Sequence, residues 1–175
     1  MASVPKAVAV IGILIAASAC GSSHGEPSPA LRSLPSVVPS PGISESAVCS
    51  ETAAAARALF GARPFRSQPS QPQQDTGVAI CVHETNDTQR KREVLVSCQI
   101  GPTADAFFEN GAVLASASIT AGPAGGRIWT DGVQGLNYER GTSAVTIAIA
   151  PASATRAADE LAFATRLAAD HACGL

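Results

Sequence analysis

Aromatic residues are scarce in this 175-residue chain: one Trp, one Tyr and five Phe make up 4% of it. Charge is scarce too, at 15% of residues, with only two lysines among the twelve basic side chains. The first shortage removes the stacking platforms that single-stranded nucleic acids use, and the formal net charge of -2 removes the basic surface that duplex phosphates attract. Nucleic acid is therefore not an expected partner. An uninterrupted membrane span is missing as well, because the apolar stretch Ala7–Ala17 is far shorter than the roughly 20 residues such a helix needs. Familiar chemical motifs are also lacking. Gly122–Gly126 is not followed by the Lys-Ser/Thr of a phosphate-binding loop, and His83-Glu84 is not followed by the second His of a zinc-protease helix. No cofactor is expected, and no catalytic constellation is legible. What the chain has in quantity is alanine, 34 residues, within a hydrophobic content of 46%, which excludes disorder throughout and points to a shallow core of small side chains.

Residues 1–19 carry one positive charge at Lys6, the apolar stretch, and then small residues before Cys20, the layout of a secretory signal peptide. Ala17-Ser18-Ala19-Cys20 resembles the lipobox of bacterial lipoproteins, with Ala17 where that box prefers Leu. The resemblance implies that Cys20 carries a diacylglycerol and becomes the first mature residue. The alternative is a secreted chain cleaved after Ala19 with a free Cys20. Residues 20–44 hold Pro27, Pro29, Pro35, Pro39 and Pro41 among Ser and Gly, so no helical or strand period survives, and the segment reads as a tether. Gly21-Ser22-Ser23-His24-Gly25 matches the G-x-S-x-G pattern of serine hydrolases, but the strand and helix that must flank a nucleophile elbow are absent from this context.

Residues 45–175 read as an extracytoplasmic α+β domain. The spacing predicts a helix over Ala47–Phe60 capped by Ser46, a polar surface loop over Arg63–Gln74, and strands at Val78–His83 and Glu93–Ile100 forming an antiparallel hairpin. A short helix at Thr103–Asn110, stopped by Gly111, should turn Phe107 or Phe108 inward, and Ala112–Thr120 alternates as a strand would. Strands follow at Arg127–Thr130, Leu136–Glu139 and Ala144–Ala150, then a helix over Ala154–Ala172 capped by Ser153, with Ala157, Leu161, Ala164 and Ala168 as its inward stripe. The expected fold is an antiparallel sheet of about five strands, with an N-terminal and a C-terminal helix packed on one face and disulfides stapling them.

Setting Cys20 aside leaves Cys49, Cys81, Cys98 and Cys173, an even number suited to an oxidising compartment. Four cysteines admit three pairings; Cys81–Cys98 with Cys49–Cys173 is preferred here, one staple between neighbouring strands and one closing almost the whole domain. A metal site from Cys81, His83 and Cys98 is the functional alternative, since a C-x-H spacing on a strand puts both side chains on one face. Asp105 and Glu109, four apart on the short helix, form either a carboxylate pair for acid–base work or a solvated face. His171 reads as a cation near a helix C-terminus, and Arg90-Lys91-Arg92 as a solvated hairpin turn or a contact for anionic lipid or wall polymer.

The lipobox, the Pro/Ser tether, the Ala/Arg-rich composition and the four domain cysteines together resemble the small cell-envelope lipoproteins of mycobacteria and related actinobacteria. Val133-Gln134-Gly135-Leu136, followed by a strand hairpin and a C-terminal helix, is similar in layout to extracytoplasmic domains of that group, including sensor modules of some receptor kinases. The resemblance implies a lipid-anchored, non-enzymatic binding or accessory module on the extracytoplasmic face of the cell membrane. Its partners would be the membrane, through Cys20, and an envelope ligand or protein met by the sheet face or the Arg63–Gln74 loop. A small cell-wall-acting hydrolase using Asp105, Glu109 or His83 is the competing expectation, and it requires those groups to converge.

Overall fold

The computed structural model describes residues 43–70, 77–133 and 135–175. The expected signal peptide, Cys20, the G-x-S-x-G match and the tether up to residue 42 lie outside the described residues, as do positions 71–74 of the expected loop. The elements are α1 (Glu45–Phe60), β1 (Phe65–Pro69), β2 (Val78–Thr85), β3 (Glu93–Ile100), α2 (Ala104–Leu114), β4 (Thr120–Ala121), β5 (Arg127–Thr130), β6 (Leu136–Arg140), β7 (Ser143–Ala150) and α3 (Arg156–Ala169). They make an α+β fold around an open antiparallel sheet of seven strands, not five, in the order β1-β2-β3-β7-β6-β5-β4.

Helix α1 begins one turn fraction earlier than expected because Ser44, not Ser46, is its cap: Ser44 Oγ accepts the Ala47 N–H at 3.2 Å. Its run of alanines favours helix intrinsically and keeps the helix thin. Strands β3 and β5 have the predicted bounds, and β6 and β7 differ from them by one residue.

Four expectations are overturned. Part of the supposed loop 63–74 is the edge strand β1, paired with β2 from Phe65↔Thr85 to Pro69↔Cys81. Ser70 N–H donates to the Ile80 carbonyl and Asn86 N–H to the Pro64 carbonyl, so even-numbered β1 residues carry the ladder and odd-numbered ones turn their backbone groups outward. Pro69 stands at an odd position, where no ladder donor is lost, and an edge strand tolerates it. The strand expected at 112–120 is instead the last turn of α2, a loop, and the two-residue β4. Gly111 does not stop the helix; a Cβ there would lie 2.7 Å from Trp129 Cζ2, so the glycine is what lets α2 lie on the indole. The inward stripe of α3 is Glu160, Phe163, Ala164, Leu167 and Ala168, while Leu161 is 40% exposed. Glu160 can be buried because it accepts the Ile149 N–H at 3.2 Å and pairs with Arg156 at 2.8 Å.

Two apolar clusters result. The larger joins α1 and α3 residues, among them Val48, Phe60, Phe163 and Leu167, to Val94, Val96, Tyr138, Val145 and Ile147 of the sheet. The smaller joins Ala104, Phe108 and Ala112 of α2 to Trp129 and Ala144. Neighbouring β7 residues, Ala144 and Val145, belong to different clusters, so α2 lies on the sheet face opposite the larger core. On that second face Val78, Ile80, Val82 and Leu95 stay only half-buried.

Candidate functional site

The four domain cysteines all pair, but as Cys49–Cys81 and Cys98–Cys173, with Cα separations of 5.1 and 5.8 Å. This corrects the preferred Cys81–Cys98 and Cys49–Cys173 pairing. In the β2–β3 register Cys81 faces Val96 and Cys98 faces Ala79, so the two strand cysteines are diagonal neighbours, and each reaches up to the helical layer. Cys49 of α1 and Cys173 in the 3-10 turn Ala172–Gly174 meet them there. The proposed Cys81–His83–Cys98 metal set is overturned by the same bonds, because a disulfide sulfur is no thiolate ligand. Among the described residues no group of three or more His, Cys, Asp or Glu is arranged to hold a metal ion.

His83 is fully buried and links three elements. Its Nε2 lies 2.7 Å from Thr52 Oγ1 of α1, and its Nδ1 lies 2.7 Å from Ser67 Oγ of β1. The Thr52 hydroxyl donates to the Val48 carbonyl at 2.7 Å, so toward the ring it accepts, and Nε2 carries the proton. Nδ1 is then the bare nitrogen that accepts the Ser67 O–H. Register explains the contact: Ser67↔His83 is a non-hydrogen-bonded pair across β1–β2, the kind in which side chains approach most closely. Burial pushes the His83 imidazole down to about 4. The Ser67–His83 contact has the reach of a nucleophile and its base. It nonetheless lacks a carboxylate facing the ring among the described residues, and burial disfavours the imidazolium a general base becomes.

Asp105 and Glu109 do not join His83. Both bond Arg127 of β5, which also holds Glu139 of β6 at 2.8 Å, with Glu109 at 3.0 Å. The Arg127 guanidinium lies 5.3 Å from the Phe108 ring centroid, and the carboxylates around it raise its already high basicity. One arginine thus clamps α2 to the sheet. Sequence reasoning missed it because Arg127 is far from both carboxylates in the chain.

On the second sheet face beyond β1, Glu84 is nearly buried between Arg66 and Lys91, and Lys91 also reaches Glu93 at 3.1 Å. These cations hold the Glu84 carboxyl below its ordinary range. Together with Asp87 and Thr88 they line an open polar cleft of about 610 Å³. Of the run Arg90-Lys91-Arg92, Lys91 is thus committed to Glu84 and Glu93, and Arg92 pairs with Asp159 at 3.0 Å. A smaller groove of about 190 Å³ runs between α1 and α3, floored by Ala55, Leu59, Ala162 and Phe163. His171 follows α3 with a left-handed backbone and sets Nδ1 3.1 Å from the Leu175 carbonyl. Among the described residues no helix is long and apolar enough to cross a membrane.

No protein-family model matches this chain, and neither a curated protein nor a solved structure shows significant similarity to it.

Proposed function

We propose that this protein is a lipid-anchored module of the extracytoplasmic face, tethered through Cys20, that binds an envelope ligand or protein and has an accessory role there. The observation that carries the reading is the pairing of all four domain cysteines, the arrangement an oxidising compartment supports. The signal-peptide layout of residues 1–19 and the small residues before Cys20 agree with that address. The half-buried row Val78, Ile80, Val82 and Leu95 supports binding through the sheet face, since a strand that is apolar on both sides suits a sheet covered on both sides. The hydrolase alternative draws no support from Asp105 and Glu109, which are held by Arg127 and belong to a different network from His83.

Mass spectrometry of the protein extracted from host membranes tests the address, with thiol labelling before and after reduction. The expected result is a mature chain starting at an acylated Cys20, with Cys49, Cys81, Cys98 and Cys173 labelled only after reduction. An unmodified Cys20 overturns the anchor. A photo-crosslinking residue at position 95 tests the face: a discrete adduct in envelope preparations, absent when the same group replaces exposed Leu161, is the expected outcome.

A further inference from the structure

Strand β1 is the most lightly held strand of the His83 region. It has five residues on the outer edge of the sheet, four of them exposed and only Phe65 half-buried. Phe65 rests against Phe60, 5.4 Å between ring centroids, and against the edge of His83 at 5.9 Å. Arg66 reaches Glu84 on the other face. Arg57 of α1 lies over the Phe65 ring, and Ser67 bonds His83 Nδ1.

The direction of that tie, and the charge of the ring it touches, depend on protonation. Thr52 fixes the single imidazole proton on Nε2, so a second proton has only Nδ1 to occupy, the atom that holds β1. Once Nδ1 is protonated, the Ser67 hydroxyl must turn round and accept from it, and the ring becomes a buried cation with no carboxylate, among the described residues, against either nitrogen. The groups facing it are Thr52 from α1, Ser67 and Phe65 from β1, and Val94 opposite it on β3. None is acidic. Among the described residues, the charge that reaches the Phe65 side of the ring is the Arg57 guanidinium, 5.3 Å above the Phe65 ring, which is of the wrong sign. Arg66, Glu84 and Glu93 project to the opposite face, because they alternate with Ser67, His83 and Val94. Lifting β1 lets water reach the ring and relieves the cation.

We propose that β1 is an acid-released latch: protonation of His83 detaches Phe65–Pro69 from β2 while the rest of the sheet stays folded. The rest can stay because Cys81 of β2 and Cys98 of β3 are covalently tied to Cys49 and Cys173. Release bares the outer backbone edge of β2 at Ile80, Val82 and Glu84, a template for an added strand.

Amide hydrogen exchange on the intact chain, normalised to intrinsic rates at each pH, tests the latch. With a free imidazole at 6.5 and the closed one near 4, linkage predicts that the amides of Arg66, Gln68, Ser70, Val82 and Glu84 lose protection about 20-fold at pH 5 and about 100-fold at pH 4, relative to pH 7. Amides between β3 and β7 should not change. His83→Gln, which can accept from Ser67 and donate to Thr52 without titrating, should flatten the response. The proposal is overturned if β1 keeps its protection to pH 4, if β1 and the β3–β7 amides loosen together, or if His83→Gln still releases β1 in acid. Should that variant not fold, the imidazole titration of the unaltered chain by NMR decides: a midpoint far below 6.5 that tracks β1 exchange supports the latch, and an ordinary midpoint overturns it.

Discussion

Ser67 Oγ and His83 Nδ1 stand 2.7 Å apart although sixteen residues separate them, because the β1–β2 register sets them opposite each other in a non-hydrogen-bonded pair. One buried ring therefore joins a helix, a central strand and an edge strand, and its protonation state couples them.

Global stability should fall as pH drops through the same window. The folded-state value of His83 lies below its unfolded value, so the unfolded chain binds the extra proton first. The contribution of neutral His83 is complete above about 6.5 and fades as pH falls toward 4, amounting to about 2–3 kcal/mol. Urea unfolding at pH 7, 5.5 and 4 measures it, and His83→Gln should show a shallower loss. An unchanged pH dependence in that variant would place the effect elsewhere. Glu84 is held low by Arg66 and Lys91, so its stabilisation is present above the ordinary carboxylate value and is lost only at more acidic pH.

Removing the disulfides in matched pairs should grade stability by loop length. Cys98–Cys173 closes 75 residues and Cys49–Cys81 closes 32, for which chain entropy gives about 4–5 and about 3–4 kcal/mol. Cys98→Ser with Cys173→Ser should lower the unfolding midpoint more than Cys49→Ser with Cys81→Ser. Non-reducing peptide mapping checks the connectivity directly; a Cys81–Cys98 peptide would contradict the fold.

Arg127→Met should loosen α2. It leaves Asp105, Glu109 and the poorly exposed Glu139 without their shared cation, a loss of about 2–3 kcal/mol. Trp129 reports the change, because its Nε1–H donates to the Phe108 carbonyl of α2 at 3.0 Å. A red shift of tryptophan emission below the main transition is expected.

Gly111→Ala sets two effects against each other. Alanine gains up to about 1 kcal/mol of helix propensity, but its methyl would sit 2.7 Å from the Trp129 ring, and overpacking costs about 1–3 kcal/mol. The substitution should destabilise and alter the near-ultraviolet circular dichroism of Trp129. A stabilised protein with an unchanged spectrum would show that the indole moves aside freely.

Local patterning determined much of this fold. The period-two run Glu93–Ile100, the presence of helices α1 and α3, and the break at 140–143 between β6 and β7 each depend on neighbours along the chain, so they were legible from the sequence, although the helices start after Ser44 and Thr155 and not after Ser46 and Ser153. The even count of four domain cysteines likewise announced two disulfides. What the chain alone left open were choices made between distant residues. Proline and polar residues hid β1, because an edge strand needs only alternate backbone groups and Pro69 sits at an unused one. Small alternating residues after Gly111 imitated a strand, and the contact of α2 with Trp129 decided for helix. Glu160 lay outside the inward stripe that spacing gave for α3, and it is the Ile149 N–H and the Arg156 guanidinium that let it be buried there. The cysteine pairing followed the same rule: β2–β3 register put Cys81 and Cys98 on a diagonal, and the helical layer above brought each its sulfur. Sequence spacing specifies which face a side chain takes within its element, whereas register and layer packing specify what waits on the other side.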